Sequence, residues 1–383
     1  MFRGIDQVEP EKEALDVVWD LGRKCTYACT YCGPHHSNKW SPHTPLKILM
    51  HTIDGVVEYT ELLNKYRKIK KVTTLAFTGG EPTANPDFFK FIRYIKTEYP
   101  KLRCNVTTNG CYMPRKNRMI MKYCESATVS YHTEASIKEK ILVKNNIEEM
   151  QEEGYRFKVN LMFHKDHFDE CIIMAEWFDE IGVKYIPRVI GDSGNKSDIE
   201  DGTAHVYDEE QMEWFKNYWN KENEQVSKKT SCEGTSIGRP CCNRMPLKLL
   251  TDDTWTPGTF APSTNFEGWN CMVNWNFMFI HSELDEIWHH QTCQINLEGE
   301  IGPIGKASRF DLVNKRLREE LESGSMRVIR CPKTWCGCGM CSPKAKDDDV
   351  MDGIFNRYID DSVNPIFQPK KELTGIKIMT RLK

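Results

Sequence analysis

The chain has 383 residues, with 52 Lys and Arg against 55 Asp and Glu and a formal charge of −3, a balance that argues against a dedicated polyanion binder. Its 39% apolar content is ample for a core, and at about 150 residues per domain the length suggests two domains or one large domain with an appendage. No apolar run approaches the ~20 residues that cross a bilayer, and Met1 to Asp16 is polar and acidic without the hydrophobic stretch of a signal peptide, so the expected compartment is the cytoplasm.

A strand-like run, Leu15 to Trp19, leads straight into a first group of cysteines. Further strand candidates follow at Val72 to Phe77, Cys104 to Thr108, Ala127 to Ser130, Phe157 to Phe163 and Lys184 to Val189, each rich in β-branched or aromatic residues. Helical periodicity fills Leu46 to Tyr66, Asp87 to Glu98, Ile137 to Glu153 and His167 to Ile181. Strand alternating with helix predicts an α/β fold of βα units around a parallel sheet, with active residues at the carboxyl ends of the strands. A further helix, Asp208 to Glu222, carries Trp214, Phe215, Tyr218 and Trp219, read as packing aromatics. Residues 223–268 are polar and rich in Gly, Pro and Thr, hence loop. A hairpin is expected from Asn270 to Cys293, with Trp275, Phe277 and Phe279 alternating with polar residues and a turn at Glu283 to Glu286; a helix from Phe310 to Glu322 precedes a last cysteine group.

Sixteen cysteines in a chain without an evident export signal point to metal or redox chemistry before disulfides. Cys25, Cys29 and Cys32 form C-x3-C-x2-C in the loop after the first strand. Three thiolates in one short loop can hold three irons of a [4Fe–4S] cluster and leave the fourth open to an exogenous ligand. A zinc site completed by His35 or His36, or buried inert thiols, would use the same residues. Thr78-Gly79-Gly80-Glu81-Pro82 ends the second strand: two glycines let the backbone approach a ligand, and strand-end carbonyls with Glu81 can receive an ammonium group. Thr107-Thr108-Asn109-Gly110 ends the third strand and Val129-Ser130-Tyr131-His132 the fourth.

These four features, in this order and each at a strand end, resemble the radical S-adenosylmethionine (radical SAM) superfamily, in which an aromatic such as Tyr31 precedes the last cysteine. The resemblance implies a partial (β/α)6 TIM-like barrel over residues 14–205, with Cys25, Cys29 and Cys32 holding a [4Fe–4S] cluster whose open iron binds S-adenosylmethionine. It further implies cofactor contacts from Tyr31, Thr78, Gly79, Gly80, Glu81, Thr108, Asn109 and Ser130. Asn160 and Arg188 occupy positions where the family makes more such contacts, and a structural role accounts for them equally well. The activity implied is reductive cleavage of S-adenosylmethionine to a 5′-deoxyadenosyl radical that abstracts hydrogen from substrate.

Near the other end, Cys331, Cys336, Cys338 and Cys341 give C-x4-C-x1-C-x2-C, a thiolate set that suits iron–sulfur or zinc. With Cys271 and Cys293 flanking the hairpin, it resembles the SPASM or twitch extension of radical SAM enzymes, although it lacks that extension's C-x2-C-x5-C-x3-C spacing and any cysteine after Cys341. The resemblance implies a cysteine-rich auxiliary-cluster domain over residues 269–345 holding one [4Fe–4S] cluster through four of these six, with Cys232, Cys241 and Cys242 in reserve; residues 206–268 form a linker region and 346–383 a tail. Cys104, Cys111, Cys124 and Cys171 read as core thiols. No role is given to His132, His164, His167, His289 or His290, and the Lys65 to Lys71 run reads as cations at a helix end. The substrate expected is a peptide or protein, with a carbohydrate, nucleotide or small metabolite as the alternative and an electron donor such as a flavodoxin or ferredoxin as partner; membrane and nucleic acid are not expected. A non-enzymatic zinc or iron–sulfur binding module, and a member that binds S-adenosylmethionine without cleaving it or uses it for methyl transfer, are the competing readings.

Overall fold

The computed structural model describes residues 14–32, 40–68, 70–190, 205–228, 267–271, 273–283, 286–288, 310–323, 329–331 and 344–345. They fall into two compact units, one within residues 19–49 and 75–228, the other within residues 1–18, 50–74 and 229–383. Strands β1 (Ala14–Asp20) and β2 (Val72–Thr78) and helix α1 (Leu46–Tyr66) contribute to both.

In the first unit β3 (Arg103–Thr108), β4 (Ser126–His132), β5 (Phe157–Phe163) and β6 (Tyr185–Val189) pair in parallel and in chain order, with β2 next to β3. Helices α2 (Phe88–Glu98), α3 (Pro114–Tyr123), α4 (Ile137–Glu152) and α5 (Phe168–Glu180) supply the crossovers, as parallel neighbours require. The strands are two-sided. Val106, Val129, Tyr131, Leu161 and Phe163 are buried, and Tyr131 meets Phe178 of α5 edge to face. Between them Asn105, Thr107, Thr128, Ser130, His132, Lys158 and Asn160 are half-buried on the opposite face. The period of two therefore sorts the strands into an apolar face and a polar one. Trp19, Phe77, Phe88 and Phe91 interlock within 6.0 Å between ring centroids, seating α2 on the sheet.

Helix α3 has no counterpart among the sequence expectations. Only Asn117 and Ile120 of its ten residues are buried, so it lacks the apolar stripe that periodicity detects; Pro114 at its first turn and the packing of its neighbours set it instead. Helix α6 (Glu209–Lys228) bears the aromatics expected to pack, and they do: Trp214 and Phe215 lie 4.5 and 5.1 Å from Phe163 between centroids, and the Tyr218 hydroxyl donates to the Tyr185 carbonyl at 3.0 Å.

The second unit places β8 (Phe277–His281) beside β1 and pairs it antiparallel with β9 (Glu286–Trp288). The expected alternation of Trp275, Phe277 and Phe279 does not hold: Trp275 lies in one helical turn, Val273–Asn276, and Met278, Phe279 and Ile280 are buried in succession. A strand covered on both faces loses the period that a half-buried one shows. The Lys65 to Lys71 run is likewise more than a helix end. Arg67 is buried, donates to the Trp275 carbonyl and lies 4.6 Å from the Trp275 ring centroid, and the Lys71 ammonium donates to Asn276 Oδ1 at 2.6 Å. Helix α7 (Phe310–Glu322) rests on α1, where a Cβ on Gly55 would meet Phe310 at 2.3 Å and Asn314 donates to the Gly55 carbonyl at 3.0 Å. No helix among the described residues is long and apolar enough to cross a membrane.

Candidate active site

The loop after β1 and the turn after β2 are joined backbone to backbone. Leu21 N–H donates to the Thr78 carbonyl (2.9 Å), Gly80 N–H to Gly22 (2.8 Å) and Glu81 N–H to Lys24 (2.8 Å). This close approach explains both glycines. Gly79 sits at φ +123, and a Cβ there would meet the Gly22 carbonyl at 2.5 Å; one on Gly80 would meet the Lys24 and Arg23 carbonyls at 2.4 and 2.5 Å. A side chain at either position would push the cysteine loop off its base.

Glu81 is buried, and its carboxylate accepts from Thr83 N–H (3.0 Å), Thr83 Oγ1 (2.6 Å), Thr108 Oγ1 (2.8 Å) and Asn109 N–H (2.7 Å). Burial raises its pKa while the donors from Thr83, Asn109 and Thr108 pull it down. The sequence expected this carboxylate and Thr108 to face a ligand; in the structure they hold each other. Asn109 extends the chain of contacts, donating from Nδ2 to Thr26 Oγ1 in the cysteine loop at 2.8 Å. The ends of β2 and β3 and the cysteine loop are thereby locked together.

Cys25, Cys29 and Cys32 are half-buried free thiols. Burial pushes Cys25 up to about 11 and Cys29 up to about 12, moderated by the Tyr27 N–H at Cys25 and by a hydrogen bond from Tyr31 at Cys29. Without a cation the sulfurs of Cys25 and Cys29 keep their protons at neutral pH, and a soft metal group must displace them on binding. Three clustered soft donors suit an iron–sulfur cluster, and the fit of the set rests on that chemistry. Among the described residues no three His, Cys, Asp or Glu side chains converge on a single-ion site.

Ser130 and Asn160 face each other in the β4–β5 register, and Arg188 Nε donates to Asn160 Oδ1 at 3.1 Å. Three of the residues selected from the sequence thus share the polar sheet face. A histidine group lies beside them: His132, His164 and His167, to which the sequence assigned no role, and His205, which it did not name. His132 Nδ1 is 2.5 Å from the Tyr31 hydroxyl and 3.5 Å from Cys29 Sγ, with the Tyr31 ring nearly coplanar with the imidazole. His164 and His205 are 4.4 Å apart between centroids, and His167 is 4.9 Å from His164. Burial lowers His132 and His205 to about 4, so the rings are neutral at neutral pH. His205 follows a long polar segment, and nothing in the local sequence marks its return to the site.

Of the second cysteine set, Cys271 lies on β7 (Asn270–Cys271) opposite Ile329 of β10 (Ile329–Arg330), and Cys331 N–H donates to the Trp269 carbonyl at 2.8 Å. Residues two apart share a strand face, so this antiparallel ladder puts the two buried cysteines on one face of a small sheet that β11 (Lys344–Ala345) completes. Cys293, Cys336, Cys338 and Cys341 lie outside the described residues, as do Cys232, Cys241, Cys242, His35, His36, His289 and His290.

Residues 19–177 match the sequence model of the Radical SAM superfamily, and this stretch is a radical SAM domain. Within the curated proteins, the chain is 27% identical over 111 residues to a GTP 3′,8-cyclase of Nautilia profundicola, covering 28% of this chain and 31% of that protein. It is 27% identical over 105 residues to a GTP 3′,8-cyclase of Paenarthrobacter nicotinovorans, covering 27% and 28%. The chain therefore matches less than a third of the length of these relatives. Similar solved structures include Streptococcus suis SuiB, at a TM-score of 0.47 and 14% identity over 82% of this chain and 69% of that one. Another is anSMEcpe with bound AdoMet, at 0.47 and 14% over 80% and 82%.

Proposed function

We propose that the protein is a cytoplasmic radical SAM enzyme that abstracts hydrogen from a peptide or protein substrate. The observation that carries this reading is the thiol loop of Cys25, Cys29 and Cys32, fastened by three backbone hydrogen bonds to the Thr78-Gly79-Gly80-Glu81 segment at the end of a parallel sheet. A reduced [4Fe–4S] cluster held there would supply the electron that splits S-adenosylmethionine into methionine and a 5′-deoxyadenosyl radical. On this reading the residues have separate tasks. Cys25, Cys29 and Cys32 ligate three irons. The strand-end backbone of Thr78, Gly79 and Gly80 and the polar face of Ser130, Asn160 and Arg188 bind the cofactor's polar groups. Glu81, Thr108 and Asn109 position that backbone rather than touch the cofactor through their buried atoms. On this reading residues 14–205 form a partial (β/α)6 barrel.

The ladder of Cys271 and Cys331 supports an auxiliary [4Fe–4S] site in the second unit, completed by two of Cys293, Cys336, Cys338 and Cys341. Such a site would bind substrate or take up the electron left after oxidation, and a flavodoxin or ferredoxin would reduce the first cluster. A nucleotide substrate is the second reading, favoured by the sequence likeness to two GTP 3′,8-cyclases; that likeness covers about a quarter of the chain.

The test is anaerobic reconstitution followed by iron and sulfide counting and an assay for 5′-deoxyadenosine with dithionite and S-adenosylmethionine. Two clusters give about eight irons per chain, and Cys29→Ala removes about four of them together with all cleavage. A colourless protein that holds zinc and makes no 5′-deoxyadenosine would establish the metalloprotein module instead. Accumulation of 5′-deoxyadenosine with candidate peptides and with nucleotides separates the two substrate readings.

A further inference from the structure

The contact of His132 and Tyr31 with Cys29 is not explained by holding S-adenosylmethionine or by ligating iron. The phenol oxygen is 2.5 Å from Nδ1, and Nδ1 is 3.5 Å from Cys29 Sγ. Three heteroatoms from two segments of the chain, the cysteine loop and the end of β4, meet at one point.

Proton bookkeeping selects one arrangement. A cysteine bound to iron is a thiolate, which only accepts. The imidazole brings an N–H and the phenol an O–H. If Nδ1 were the bare nitrogen, the phenol would donate to it, and the sulfur would face two lone pairs with no donor. If Nδ1 carries the proton, it donates to the phenol oxygen and the phenol donates to the sulfur, so that Nδ1, the phenol oxygen and the sulfur each have a partner. The Tyr31 ring lies nearly in the plane of the imidazole, with planes 8° apart, while Tyr27 meets the imidazole edge to face at 5.5 Å, so the ring is fixed in orientation.

We propose that Tyr31 and His132 form a relay, Nδ1–H to phenol oxygen and phenol O–H to Cys29 Sγ, that stabilises the reduced cluster and sets its potential. Hydrogen bonds to cluster sulfurs favour the more negative, reduced state, as donors near any ligand that gains charge do. His132 is then a positioning residue acting through Tyr31, and Tyr31 is the donor. The inference rests on the [4Fe–4S] reading of Cys25, Cys29 and Cys32.

The experiment is an anaerobic redox titration of the reconstituted full chain, followed by electron paramagnetic resonance. The signal that S-adenosylmethionine perturbs identifies the cluster with the open iron. In Tyr31→Phe, which deletes one oxygen and keeps the ring, the reduced-to-oxidised ratio at the wild-type midpoint falls about tenfold, equivalent to 59 mV for one electron. His132→Phe falls in the same direction, the double variant falls no further than Tyr31→Phe, and His132→Asn, which keeps an N–H near the position of Nδ1, recovers part of the loss. Iron content stays at the wild-type level in Tyr31→Phe. Midpoints within about twofold in ratio of wild type for both Tyr31→Phe and His132→Phe overturn the relay and leave the cluster reading intact. Failure of the wild type to take up any four-iron cluster overturns the cluster reading, and the relay with it.

Discussion

Glu81 is a carboxylate with no exposed face and four donors, two of them backbone N–H groups. Removing it leaves those donors buried without an acceptor, so Glu81→Ala should cost about 4 kcal/mol of unfolding free energy in urea denaturation, and Glu81→Gln about 2 kcal/mol, since an amide satisfies one side and opposes Asn109 N–H on the other. His205 supplies a second test. Its folded pKa is lowered to about 4 by burial, with His164 and Lys165 adding repulsion. In the unfolded chain the imidazole titrates near 6.5, so between pH 6.5 and about 4 the unfolded state binds a proton that the folded state refuses. Stability therefore falls as pH drops through this window. In His205→Asn the slope of urea midpoint against pH from 6.5 to 5 should be shallower than in wild type, whereas an unchanged slope would assign the acid sensitivity to other groups.

Among the elements, the cysteine loop depends on the turn after β2 more than on its own residues. Gly80→Ala places a methyl against two carbonyls at 2.4 and 2.5 Å, neither of which can rotate away as a side-chain end could. Overpacking of this kind costs about 2 kcal/mol, and the displaced loop should retain less iron after reconstitution than wild type while the far-ultraviolet circular dichroism is preserved. In the second unit, Arg67 anchors the end of α1 to the Trp275 turn. Arg67→Ala loses that hydrogen bond and the packing of the guanidinium on the indole, and thermal denaturation should show a loss of about 3 kcal/mol. A wild-type melting curve would mean that Trp275 is held by its apolar neighbours alone.

At the scale of the whole molecule, the two halves of the chain were legible to different degrees. The βα alternation showed because the strands are short and β-branched and most crossover helices carry an apolar stripe; α1 spans Leu46–Tyr66 and α7 spans Phe310–Glu322, both as the periodicity has them. The first cysteine group and the Gly-Gly-Glu-Pro turn were legible as well, because their chemistry depends on residue type and spacing within a few positions. Helix α3 was not, having little apolar surface to bury, and β8 concealed its period by being buried on successive residues. By itself the sequence determined the parallel βα order and the thiol loop at the end of β1, since both follow from local pattern. Only the tertiary structure decided that Glu81 binds Thr108 and Asn109, and that His132 meets Cys29 across 103 positions. Contacts of that separation depend on which strand ends the sheet brings side by side, and no window of sequence contains both partners.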